Sequence, residues 1–130
     1  MKFLLLLLLA VVPLAAEDHD HHHAETTPVG TATVEGKSLA VASVGKPVPG
    51  TPWFVEVRLA KDQARPKAIR LWVGSADGKG ALKTKAARHH GAYEGQVDVP
   101  KPLPEGAALW ISLEAADGTS TSGSVALPKP

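Results

Sequence analysis

The chain has 130 residues, 44% of them hydrophobic and 21% charged, with eleven Pro, twelve Gly, no Cys and a formal net charge of +1. Those figures exclude a disordered acidic or basic tail, a collagen-like repeat, a disulfide-framed miniprotein and a multidomain enzyme. Much of the hydrophobicity lies in residues 1–16, and the ~114 that follow are enough for one domain burying roughly two thirds of its unfolded surface.

The chain opens on Met1-Lys2-Phe3, runs through leucines from Leu4 to Leu9 and reaches Pro13 and the small residues Ala15 and Ala16. A basic start, an apolar stretch and small residues at its end predict a cleavable signal peptide over residues 1–16, with cut after Ala16. The apolar run is shorter than the ~20 residues a spanning helix needs, so no membrane span is expected after cleavage. No Cys follows it, which removes lipid attachment and leaves a core that must hold without disulfides. A periplasmic location fits such an exported chain, and it makes nucleic acid an improbable partner.

Residues 17–29 are predicted to form a flexible, acidic, His-rich segment. Glu17, Asp18, His19, Asp20, His21, His22, His23 and Glu25 place four of the six His and four carboxylates within nine residues. Imidazole and carboxylate together suit a divalent transition metal, Zn(II), Cu(II) or Ni(II), whereas the thiolate and thioether ligands of Cu(I) are missing. With Glu17 as the mature N-terminus, Glu17-Asp18-His19 resembles the amino-terminal copper and nickel motif. There the free amine, two backbone amides and the third-residue imidazole make a square-planar set of four nitrogens. A flexible segment loses ordering entropy on binding, so capture and buffering are expected rather than a rigid catalytic centre. Protonation of the imidazoles releases the metal below about pH 6.

Residues 30–130 form the predicted domain, an all-β, immunoglobulin-like β-sandwich of seven to eight strands. Period-two runs fall at residues 31–35, 38–44, 53–60, 68–74, 82–88, 92–99, 107–115 and 121–127, with Gly- and Pro-rich breakers between them. No window carries a long 3.6-residue stripe. Alternation puts Trp53, Val55, Val57, Ile69, Leu71, Val73, Tyr93, Val97, Leu109, Ile111 and Leu113 on the inward face. Glu56, Glu94, Asp98 and Glu114 fall on the outward phase, where solvation is expected, and residues 101–104 read as an extended crossover between sheets.

Phe54, Trp72 and Trp110 also fall on the charged phase, which is unexpected in a chain with six aromatic residues. Two readings are open. They cluster beneath a loop or the N-terminal segment, or they form with Arg58 and Arg70 an exposed patch for a protein partner. Residues 58–90 carry nine basic side chains against Asp62 and Asp77, a charge that keeps a sheet face soluble or docks an acidic partner.

His89 and His90 form the remaining imidazole pair. Adjacent strand residues point to opposite faces, so at most one is expected to join a metal site unless the chain turns there. The chain carries no Gly-x-Ser-x-Gly elbow, no phosphate loop and no Cys nucleophile, so no enzyme is expected.

The segments Pro47-Val48-Pro49-Gly50, Trp53-Phe54-Val55-Glu56-Val57, Gly91-Ala92-Tyr93 and Leu109-Trp110-Ile111 resemble small periplasmic immunoglobulin-like accessory domains, some of which accompany copper and heavy-metal homeostasis systems. The resemblance covers most of residues 30–128 and transfers no ligand residues. It favours a role in metal homeostasis, and together with the His/Asp segment it predicts an exported accessory protein that captures a divalent metal for delivery to a transporter. The alternative is a metal-independent interaction module that uses its aromatic and basic sheet face on an envelope protein.

Overall fold

Side-chain alternation resolves into nine strands in a computed structural model that describes residues 25–129. Residues 1–16, expected to be a signal peptide, and Glu17, Asp18, His19, Asp20, His21, His22 and His23 lie outside the described residues. The strands are β1 (Thr27–Val34), β2 (Lys37–Val44), β3 (Pro52–Leu59), β4 (Ala68–Gly74), β5 (Thr84–Lys85), β6 (Ala87–His89), β7 (Ala92–Asp98), β8 (Ala108–Glu114) and β9 (Ser120–Ala126). Among the described residues there is no helix, and so none long and apolar enough to cross a membrane.

All pairings are antiparallel and fall into two sheets, β1-β2-β3-β7-β6 and β5-β4-β8-β9. The inward phase of each strand meets in one core that includes Leu39, Trp53, Val55, Ile69, Leu71, Val97, Leu109 and Ile111. The inward residues named from alternation are all buried, Tyr93 at 8% exposure being the most open of them. Local turn chemistry agrees with the ladder. Glu35-Gly36 and His90-Gly91 both have positive φ, the two-residue turn that suits the right-handed twist of a hairpin.

Two elements depart from the sequence reading. The first strand starts at Thr27 rather than residue 31, so Thr27, Pro28 and Val29, expected in the flexible segment, belong to the sheet. β1 is an edge strand, where the missing N–H of Pro28 is tolerated, and the ladder slips between Pro28 and Gly30. The expected strand 82–88 splits in two. Thr84–Lys85 pairs with β4 in one sheet and Ala87–His89 with β7 in the other, with buried Ala86 at the crossing. That crossing closes one flank of the sandwich, and this raises the strand count to nine.

The other flank closes where β1 packs on β9, and glycine makes the approach possible. A Cβ on Gly123 would run into the Thr33 carbonyl oxygen, and one on Gly30 would sit 2.8 Å from Val125.

Candidate functional site

The outer face of the five-stranded sheet carries a surface groove, about 500 Å³, where the described chain begins. Glu25 and Thr26 line it on one side, His89 and His90 on the other, and Glu56, Arg58 and Glu94 form its floor and wall. The register explains the floor. Glu56 on β3 lies directly opposite Glu94 on β7, and Ala87 on β6 lies opposite Glu94 in turn. Residues directly opposite share a face, with Cβ atoms about 5 Å apart, and like charges in that relation destabilise a sheet. Arg58 offsets one of the two, its Nε donating to Glu56 Oε1 at 2.6 Å. Glu56 is thereby 9% exposed, a buried carboxylate on the phase where sequence alternation puts a solvated one.

The turn brings the two imidazoles together. His89 is the last residue of β6, while His90 has φ +49° in the turn that leads to Gly91. The alternation rule for adjacent strand residues therefore does not govern this pair, and the rings meet edge to face with centroids 4.1 Å apart. Both line the groove. The sequence singles out His89 and His90 but gives no sign of Glu56 and Glu94 as their neighbours, because only β3–β7 pairing joins them.

As donors the groove offers imidazole nitrogen and carboxylate oxygen, a set suited to a divalent transition metal. Among the described residues, however, no three His, Asp or Glu converge closely enough to hold an ion. The groove by itself is an incomplete ligand set.

The five residues considered as a partner patch do not form one surface. Phe54 and Arg58 are on β3 of the five-stranded sheet, while Arg70, Trp72 and Trp110 are on β4 and β8 of the other. Core packing of the intervening phase sends the two groups to opposite outer faces of the sandwich. Trp72 and Trp110 lie opposite each other and stack at 6.3 Å with 13° between ring planes. Trp72 is 2% exposed, with Gly78 and the Lys83 side chain over its ring, the Lys83 ammonium 4.7 Å from the centroid. Its indole N–H donates to the Ser75 carbonyl and that of Trp110 to the Gly74 carbonyl. The pair thus forms a small second core under the loop that follows β4. Acrylamide is expected to quench the fluorescence of Trp53 and Trp72 weakly and that of Trp110 more strongly. Trp72→Phe and Trp110→Phe variants assign the components.

Arg70 is engaged as well, donating to Glu114 Oε2 at 2.7 Å. That bond, ahead of the general field of Arg70 and Lys67, holds the Glu114 carboxyl below the usual glutamate value of 4.5. Asp77 is lowered by the Ser75 hydroxyl and the Lys79 amide, and Asp117 by the hydroxyl and amide of Thr119. A carboxyl whose folded-state pKa is depressed stabilises the fold above its unfolded value and loses that contribution as pH falls through the folded value. The contribution of these three carboxyls is therefore expected to be fully present well above the unfolded values of 3.8 and 4.5 and to be lost as pH falls below them. In the Arg70→Gln variant, NMR titration should find the Glu114 carboxyl shifted upward, toward its ordinary value.

Comparison with protein-family models, with curated proteins and with solved structures gives no match. The class of protein is set by the chain itself: an antiparallel two-sheet β protein with a mixed imidazole and carboxylate groove where its N-terminal segment joins the fold.

Proposed function

We propose that this is an exported, periplasmic metal-binding accessory protein. Residues 17–25 capture a divalent transition metal, Zn(II), Cu(II) or Ni(II), and an immunoglobulin-like sandwich carries it, for delivery to a metal transporter of the envelope. The observation that carries this reading is the placement of the His89–His90 groove against Glu25 and Thr26, directly after the four-histidine segment.

The strand order supports the immunoglobulin-like assignment. β2-β3-β7-β6 follows the A-B-E-D order of such a sandwich and β5-β4-β8-β9 its C′-C-F-G order, with β1 added outside β2. The inter-sheet disulfide of antibody domains is absent, in keeping with a chain without Cys. Capture without catalysis suits a sequence lacking every nucleophile motif considered above. A metal-independent interaction module is less well supported, because its aromatic and basic residues divide between two faces.

Native mass spectrometry of the protein recovered from the periplasm tests the reading, with and without added Zn(II), Cu(II) and Ni(II). A mass beginning at Glu17 with one retained ion is expected. Removal of residues 17–25 is expected to weaken binding by roughly 100-fold or more. Unchanged affinity and stoichiometry after that removal would refute the assignment of the metal to this segment.

A further inference from the structure

We propose that the free edge of β9 pairs antiparallel with the same edge of a second copy of this chain, so that four strands from each copy form one continuous sheet. The inference is independent of metal binding.

A sheet edge is a template for another strand unless something blunts it. Among the described strands, three of the four edges are blunted. β1 carries Pro28 and a slip in its ladder between Pro28 and Gly30. β5 is two residues long and ends on Lys85, while β6 is three residues long and carries Arg88. β9 has none of these devices. Ser120–Ala126 is seven residues long, uncharged and without Pro, and its register with β8 is unbroken. Where β1 comes closest to β9 it meets the inward side of Gly123, and no backbone hydrogen bond joins the two strands.

The turn between β8 and β9 determines which backbone groups reach the free edge. The Ala115 N–H donates to the Thr119 carbonyl at 2.8 Å, which makes those two residues a hydrogen-bonded pair. Alternation along an antiparallel ladder then makes Leu113 with Thr121, Ile111 with Gly123 and Leu109 with Val125 the hydrogen-bonded pairs. The N–H and C=O groups of Ser120, Ser122, Ser124 and Ala126 therefore face away from β8.

Self-complementarity selects a second copy as the occupant. Antiparallel pairing about a two-fold axis at Gly123 sets Ser122 opposite the partner subunit's Ser124, and Ser120 opposite the partner subunit's Ala126. In both pairs the outward N–H and C=O groups meet, so one register satisfies all four residues. The side chains brought together are small, and no like charges meet along the strand. The same register carries Asp117, in the turn before β9, toward the partner subunit's Lys129, and the axis repeats that contact of opposite charges at the other end. Such a contact is isologous and closes at two copies, which consumes the unblunted edge.

The test is sedimentation equilibrium of the mature protein in EDTA, which keeps metal from joining two chains, in parallel with S122K/S124K and S122E/S124E. Both positions are exposed on β9, and thermal unfolding verifies each fold. We expect the unaltered protein to dimerise reversibly. Each double variant should dissociate at least about tenfold more readily, because like charges then stand directly opposite each other on both sides of the axis. Mixing the lysine and glutamate variants should restore association as a heterodimer. A protein that stays monomeric up to about 1 mM overturns pairing with a second copy and leaves a strand from another protein as the edge's occupant. Dimerisation that both double variants retain unchanged overturns the assignment to β9. Double variants that fail to associate when mixed overturn the antiparallel register.

Discussion

Trp53→Ala is expected to lower the stability of the fold by about 4 kcal/mol, a shift of roughly 15 °C in Tm, measured by thermal and denaturant unfolding. Trp53 is the largest of the fully buried side chains, at 1% exposure on β3, where its neighbour across the ladder is Val97. Truncation removes the transfer free energy of the indole and leaves a cavity between two sheets whose backbones are held apart by the surrounding ladders. Relaxation into that space would have to break strand pairing, so the cavity persists. Trp53→Phe separates packing from hydrogen bonding. The indole N–H donates to the Gly45 carbonyl at 3.1 Å, and the Ser43 hydroxyl donates to the same oxygen at 3.0 Å. Losing the indole leaves that carbonyl with one partner, so Trp53→Phe should cost about 1 to 2 kcal/mol. A Phe variant as unstable as the Ala variant would show that the ring volume is not what matters.

Gly123→Ala is the second large effect, about 3 kcal/mol, from a single added methyl group. In an ordinary strand interior the same exchange stabilises, because glycine leaves the unfolded chain more freedom. Here the sign reverses. The new Cβ would overlap the Thr33 carbonyl oxygen and lie 3.0 Å from both the Thr33 carbonyl carbon and the Val34 side chain. Two of these three atoms are backbone within the β1–β2 ladder, so no rotamer change relieves the overlap. β9 must retreat from β1, and the flank of the sandwich opens. Ser124→Ala, one residue on and facing outward on β9, should change stability by less than about 0.5 kcal/mol and serves as the control.

The groove and the flank were legible to different degrees. The alternation of Trp53, Val55, Val57, Ile69, Leu71 and Val73 identifies the core, because a period of two leaves one way to bury a strand. The same rule leaves the burial of Trp72 undecided. It puts the ring on the outward phase, and only the loop after β4, with Gly78 and Lys83 over the ring, makes that position buried. Glu56 is a second such case, outward by pattern and buried in fact, with Arg58 paired to it. For His89 and His90 the sequence supplies the turn signal, Gly91, but not its consequence. That consequence is two imidazoles together at one end of a hairpin.

By itself the sequence determines that the described chain is all β, where nearly every strand lies, and which side of each strand faces the core. It also places the four histidines of residues 19–23 next to the start of the fold. These are local properties, set by side-chain period, by Pro and Gly at breaks, and by composition. Tertiary structure decides what meets what: Glu56 with Glu94, the His89–His90 turn with Glu25, Thr33 with Gly123, and Phe54 apart from Trp72 and Trp110. Strand order and register govern those meetings. They arise from packing two sheets over one shared core, a long-range choice that no single segment encodes.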